Sequence, residues 1–569
     1  MHEITLFIVF FFERIVFLMK KFLLLPLICV FLFSCTSYHV TKVDSDLTYR
    51  VVPATLNLLQ KSYPSKDYGT VVELDCAKGE SESCQIVFLQ LDKIAGKTGI
   101  EYKLVQTPLV SESGNELTET EICVVGYVPV KSPSIAGFNE INNYPDALIP
   151  KKNFSVKYKK SQSLFYTVYV PRDTMEGRYT CTLDLYENDV FAYSIPVTVN
   201  VYKTTLPVTP FLKTHFNEHD RYDRDFYDEQ LTKEDILEQD IYYMERFRIN
   251  TVCEQVSWEN VFYRNENGVL QANWEILDSQ IEERMAYGIN IFDVPLDVDY
   301  DILEPENEAL RKEYEEQLVL INQHLVEKDW TDLFYWYNFD EPTNKKIPKF
   351  IEITEWGKKF APDIKSLTTL GWATPRKFRK LSGIVDVWVP HIDQYEKKFF
   401  PSRQAQGDRI WIYTCMQTFY THYPDSWKID TYGTCHRSLG WWLYKYNIEG
   451  YLYWAISCWW YSNPWEDAET FDFANGDGSL LYPPLERKGW PYNSMRLHTQ
   501  RDGFEDYDFL KMLEIASKIE GVYTAEELEE IQEILSVEEV IPWKGAYTKD
   551  DSLMVNLHKR ILELLDKSL

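Results

Sequence analysis

The sequence predicts a multidomain protein: an N-terminal all-β sandwich, then an α/β (β/α)8 barrel with C-terminal helices. Three observations carry this. Residues 49–203 break into apolar or alternating runs separated by Gly, Pro, Asn and Asp, the pattern of short paired strands. From 211 onward short apolar runs take turns with helix-periodic stretches, such as "KEDILEQDIYYMERF" and the Glu-rich 304–327. Eight of these runs occur before residue 457, the strand number of a parallel barrel.

The elements follow in chain order. Residues 1–35 form an expected signal segment. Met19 is its expected start, Lys20-Lys21 its basic region and Phe22–Phe33 its apolar run, with Ser34-Cys35 at the break. A cysteine at that junction resembles a bacterial lipoprotein signal, although Phe33 is bulkier than the usual pattern. The resemblance implies lipidation of Cys35 and an exported protein anchored to a bacterial membrane, periplasmic or at the cell surface. No later apolar stretch reaches the ~18 residues of a span. Residues 36–48 read as a linker. The sandwich runs from 49 to 203, and Pro207 and Pro210 mark its end. The expected barrel occupies 204–519, with strands at 211–216, 249–256, 289–296, 333–342, 364–371, 385–392, 410–415 and 450–456. A doubly wound sheet would ordinarily open on a Gly-rich turn, and none is present. Residues 520–569 form a helical extension.

Composition narrows the partners. The formal charge is 59 − 88 = −29, which disfavours nucleic acid, because phosphate recognition needs clustered Lys and Arg. It equally disfavours docking on anionic lipid, leaving the lipid anchor as the expected membrane contact. The chain is rich in flat side chains, with 17 Trp and 39 Tyr, which suits stacking on sugar rings. Of ten Cys, eight lie beyond the signal and are widely spaced, without a zinc-type cluster. Cys76 and Cys84 are the one candidate bridge, and no metal or cofactor is expected.

Barrel chemistry sits at the C-terminal ends of the strands, so candidate residues are sought there. The fourth strand ends in Asn338-Phe339-Asp340-Glu341-Pro342, adjacent carboxylates behind an aromatic run. Retaining glycosidases ordinarily set their two carboxylates on separate elements, yet the seventh strand ends Tyr413-Thr414-Cys415 without an acid. Asp393, after the sixth strand, is a spare nucleophile. The missing second acid favours attack by the substrate's own 2-acetamido oxygen, with Asp340 holding that amide and Glu341 protonating the leaving oxygen. Candidate binding residues are Asn338, Trp372, His391 and Tyr413, and beyond the eighth strand Trp454, Trp459, Asn463, Trp465 and Asp477. A ring cluster of this kind can stack on a sugar while Asn and Asp take hydroxyls.

"YNFDEP" at 337–342, "GYLYWAISCWW" from 450, "NPWED" at 463–467, "NGDGSLLYPP" at 475–484 and "SMRLHTQRDGFEDYDFLKML" at 494–513 resemble the catalytic domain of glycoside hydrolase family 123. The sandwich resembles that family's N-terminal domain. The resemblance implies an exo-acting, retaining β-N-acetylgalactosaminidase that works by substrate assistance on a carbohydrate substrate, with Asp340 polarising the amide and Glu341 as acid/base. Two alternatives stand beside it: a retaining glycosidase for another sugar, and a non-catalytic glycan-binding lipoprotein.

Overall fold

The computed structural model describes residues 47–90 and 100–569, apart from 136, 218–225, 230, 252–255, 297, 372–374, 416–422, 426 and 472–473. The signal segment, Cys35 and Trp372 therefore lie outside the described residues.

The N-terminal region is two stacked sheets. One has strand order Leu47–Pro53, Glu80–Gln90, Ser161–Val170, Thr120–Val130, Asn142–Ile149. The other runs Val72–Lys78, Val190–Thr205, Gly177–Glu187, Tyr102–Gln106, Asn153–Phe154, with two short strands at its side. Period-2 alternation builds the core: Val72, Leu74 and Cys76 from one strand meet Ile86, Phe88, Leu164 and Tyr166 from the facing sheet. Cys76 and Cys84 both lie in this core as free thiols, so the candidate bridge is absent. Each sits in its own sheet, paired with Val201 and Pro53 respectively, and burial raises both thiols.

The C-terminal region is a parallel sheet wrapped by helices. Its order is Lys213–Phe216, Gly450–Tyr453, Arg409–Thr414, Val387–Pro390, Lys365–Leu370, Phe334–Phe339, Phe292–Asp293. The last expected strand thus lies beside the first, as in a barrel. The closed eight-stranded ring is nevertheless not formed among the described residues. The run expected at 249–256 contributes one bridge, Thr251 to Phe216, and Asn250 donates its side-chain amide to Ile291 O at 3.2 Å. Ile291, Tyr335, Leu367, Val389, Trp411 and Leu452 fill the inner face.

The two regions meet along the helix Met495–Ala516, whose N-terminal half is wholly buried. It crosses the helix Gly433–Lys445 at a glycine contact: a Cβ on Gly440 would lie 1.7 Å from Gly503 O. That crossing lets charged side chains reach the sandwich. Arg437 grips Asp506 with two nitrogens at 2.7 and 2.9 Å, and Arg501 bonds Asp502 and reaches Ser83 Oγ at 3.1 Å. His558, on the C-terminal helix Asp551–Asp566, lies 3.3 Å from Glu80. Arg496 and Tyr482 similarly hold Asp146 of the sandwich, at 2.8 and 2.5 Å. The segment "RDGFED" is therefore a structural joint. No helix among the described residues is long and apolar enough to cross a membrane.

Candidate active site

The site is built where the Phe334–Phe339 strand breaks. Its register against Lys365–Leu370 shifts between Tyr337 and Phe339, an extra residue that bends a strand. Two residues on, Glu341 takes φ 41° ahead of Pro342. A non-glycine residue holds that conformation only where its surroundings impose it. Here Thr369, on the neighbouring strand, imposes it: its hydroxyl donates to Asp340 Oδ1 at 2.6 Å and accepts the Glu341 N–H at 2.7 Å. One side chain thereby organises both acids.

Each carboxylate has its own phenol. Tyr337 donates to Asp340 Oδ1 at 2.7 Å, and the Tyr413 hydroxyl donates to Glu341 Oε1. Burial pushes both phenols well above their ordinary values, so both stay protonated donors. Gly371 packs against the second pair: a Cβ there would fall 2.0 Å from Glu341 Oε1 and 2.3 Å from the Tyr413 hydroxyl. Gly371→Ala should therefore displace Glu341 and lower kcat/KM about a hundredfold, the scale for an ångström of misplacement. Circular dichroism should show the variant folded; full activity would mean that Glu341 need not occupy this position.

The surroundings hold further acids. His391 accepts the Cys415 N–H at its Nε2 (3.3 Å), which assigns the Nδ1 proton to Asp393 Oδ1 at 2.7 Å. Both ring nitrogens of His391 are thus engaged by the protein, and Asp393 is tied to it. The sequence reading missed Asp293, which ends its strand 3.2 Å from His215 Nε2. His215 also turns its ring edge-on to Tyr337, 5.7 Å away. The only local signal for this pair was a short apolar run ending in an acid.

The remaining candidates separate. Trp454, at the end of its strand, is half-buried, lies over Gly478 and donates to Asp477 at 2.9 Å. Asp477 is itself buried and accepts from Tyr453 as well, so it positions Trp454 and offers no open face to a ligand. Trp459 is corrected to a core residue: it is fully buried, donates to Leu481 O and packs on Phe226 and Tyr227. Trp465 donates to Pro483 O and packs on Tyr482 at the seam with the sandwich. Asn463 caps the turn leading to it. Asn338 exchanges hydrogen bonds with the Val298 backbone, holding a loop. Among the described residues that follow Tyr453, Trp460 and Tyr461 are exposed rings.

One group among the described residues has metal-ligand atoms close together: Glu80, Glu82 and His558, within 4.8 Å. His558 Nε2 there donates to Asp75 O at 3.1 Å, which suits an ion-paired imidazolium better than a ligand.

Residues 262–513 match the family model described as glycoside hydrolase 123, catalytic domain. A solved family 123 glycoside hydrolase from Clostridium perfringens, described in terms of glycolipid glycan hydrolysis, superposes with TM-score 0.64 at 15% identity, covering 91% of this chain and 98% of that one. A family 39 glycoside hydrolase from Bacteroides cellulosilyticus gives TM-score 0.33 at 10% identity, covering 77% and 82%. No curated protein matches the chain.

Proposed function

Starting from a chain that carries a glycoside hydrolase 123 catalytic domain, we propose an exo-acting glycosidase that releases β-linked N-acetylgalactosamine with retention, through substrate assistance. The observation that carries this is the single Thr369 hydroxyl bonded to both acids, which holds Asp340 and Glu341 as one unit. Adjacent acids fixed in this way cannot flank a glycosidic bond as acid and opposed nucleophile do.

In the proposed reaction the substrate's acetamido oxygen attacks the anomeric carbon while Asp340 accepts the amide N–H. The developing positive charge is stabilised by that carboxylate, itself steadied by Tyr337 and Thr369. Glu341 gives its proton to the departing glycosidic oxygen, and the C–O bond breaks to leave a cyclic oxazoline, protonated on nitrogen and paired with the Asp340 carboxylate. Glu341, now a carboxylate, takes a proton from water, which opens the oxazoline on the face the leaving group vacated. Two inversions give net retention. Tyr413 bonds Glu341 and holds its carboxyl at the site. Trp454 is the proposed stacking surface.

Protein lacking residues 1–35 should cleave an aryl N-acetyl-β-galactosaminide and leave the matching β-galactoside intact. Equal rates would overturn substrate assistance and shift the nucleophile to Asp393 or Asp293. The anchor is a separate proposal, resting on the Lys20-Lys21, apolar run and Cys35 order. Cys35→Ala should abolish acyl labelling and release the protein from membranes; unchanged labelling would remove the anchor.

A further inference from the structure

We propose a second carbohydrate-binding site in the seam between the sandwich and the α/β region, apart from the acids at the strand ends. A cavity of about 670 Å³ opens there, within the range of small-molecule sites. Its walls come from the helix Lys233–Phe247, the loop before Ser494 and two sandwich strands. None of its lining residues is among the hydrogen-bond partners of Asp340 and Glu341 named above.

The lining has the chemistry of a sugar site. Tyr242, Trp490 and Tyr492 supply rings, and Trp490 is half-buried with its edge against Tyr242 at 5.1 Å between centroids. Glu121, Glu229 and Glu486 supply acceptors for hydroxyls. The Tyr492 hydroxyl bonds Glu486 and holds its carboxyl below the usual range, so the acceptor stays charged. A smaller branch of about 290 Å³ shares Glu121 and Tyr242 and extends toward Arg246, whose guanidinium is already engaged by the Tyr169 ring and Glu119.

Other ligands fit less well. Three carboxylates against the single ammonium of Lys488 repel phosphates and acidic glycans. An extended peptide would need an open strand edge; Thr120–Val130 is paired on both sides, and the edge strand Asn142–Ile149 is already bonded at the cavity by Asn493 O and bridged to Ser494. A small ammonium ion would want a tight ring cage, and this space is too wide. Neutral oligosaccharides, with apolar ring faces and many hydroxyls, match both halves of the lining.

The test uses the protein lacking residues 1–35, with hydrogen exchange and calorimetric titration. The probes are a neutral tetrasaccharide of galactose and N-acetylhexosamines, its sialylated counterpart and tetramethylammonium. The neutral probe should protect 486–493 and 119–123 from exchange, independently of any change at 337–341. Trp490→Ala should weaken that binding about tenfold or more and leave kcat/KM on an aryl glycoside unchanged. Should Trp490→Ala unfold, Glu229→Ala, at an exposed position, should weaken binding in the same direction. Absence of protection at the seam, or equal protection by the sialylated or ammonium probe, overturns the proposal. Because the readout is local binding, it stands or falls separately from turnover.

Discussion

Glu341→Gln should abolish cleavage of a natural glycan while sparing much of the first step on an activated aryl glycoside. General-acid help contributes ~10²–10⁴-fold and counts most when the leaving group is poor; a phenolate with electron-withdrawing substituents leaves without it. Asp340→Asn should behave differently, because orienting the acetamide and balancing its developing charge are needed for every leaving group. Both substrates should lose rate alike, and removing the acetamido group from the substrate should cost as much as losing Asp340. A stable cyclic mimic of the oxazoline should bind far more tightly than product. Steady-state and burst kinetics on the two substrate types separate these outcomes. If Glu341→Gln slows both substrates equally and Asp340→Asn spares one, the roles assigned to the two acids are reversed.

The part of this site that was legible in the sequence is the part carried by local signals. An aromatic strand ending Asp-Glu-Pro announces a break with two acids at it, whatever packs beside it. Thr369 and Gly371 were not legible, because each acts from the next strand, 28 or 30 positions further along, and a lone Thr or Gly has no distinguishing neighbours. Trp459 and Trp465 misled for a related reason. A Trp-rich loop looks the same whether its rings face solvent or fold back, and here Leu481 O and Pro483 O drew the indole N–H groups inward. Strand order was readable from spacing, and the described strands follow it from Lys213–Phe216 beside Gly450–Tyr453 round to Phe292–Asp293. The motif around "RDGFED" could be recognised but not interpreted, since the sandwich strand it grips lies more than 400 residues earlier in the chain.

That joint carries the largest expected stability effect. Arg437 is fully buried and bonds Asp506 at 2.7 and 2.9 Å, with Trp441 donating to the same carboxylate at 2.7 Å. Arg437→Met should cost about 3–5 kcal/mol, because it strands a buried carboxylate. Breaking the exposed Arg264–Glu316 pair should cost no more than ~1 kcal/mol. Replacing Asp506 as well, by Leu, should restore part of the loss, since the penalty lies in the orphaned charge. The pH dependence has a definite sign. Burial alone would lower His558, but Glu80, Asp506 and Glu82 outweigh it and raise it from 6.5 to about 10. Its contribution is complete below about pH 6.5 and is lost as pH rises toward 10. Glu80, raised by burial, titrates in the same direction. Asp506 works oppositely: Arg437 and His558 overcome its burial and lower it from 3.8 to about 2, so its share is present above pH 3.8 and lost as pH falls toward 2. Urea midpoints should therefore be highest in mild acid and fall toward pH 10, and His558→Gln should flatten the alkaline limb. An unchanged alkaline limb in His558→Gln would mean that the imidazole is not charged in the folded joint.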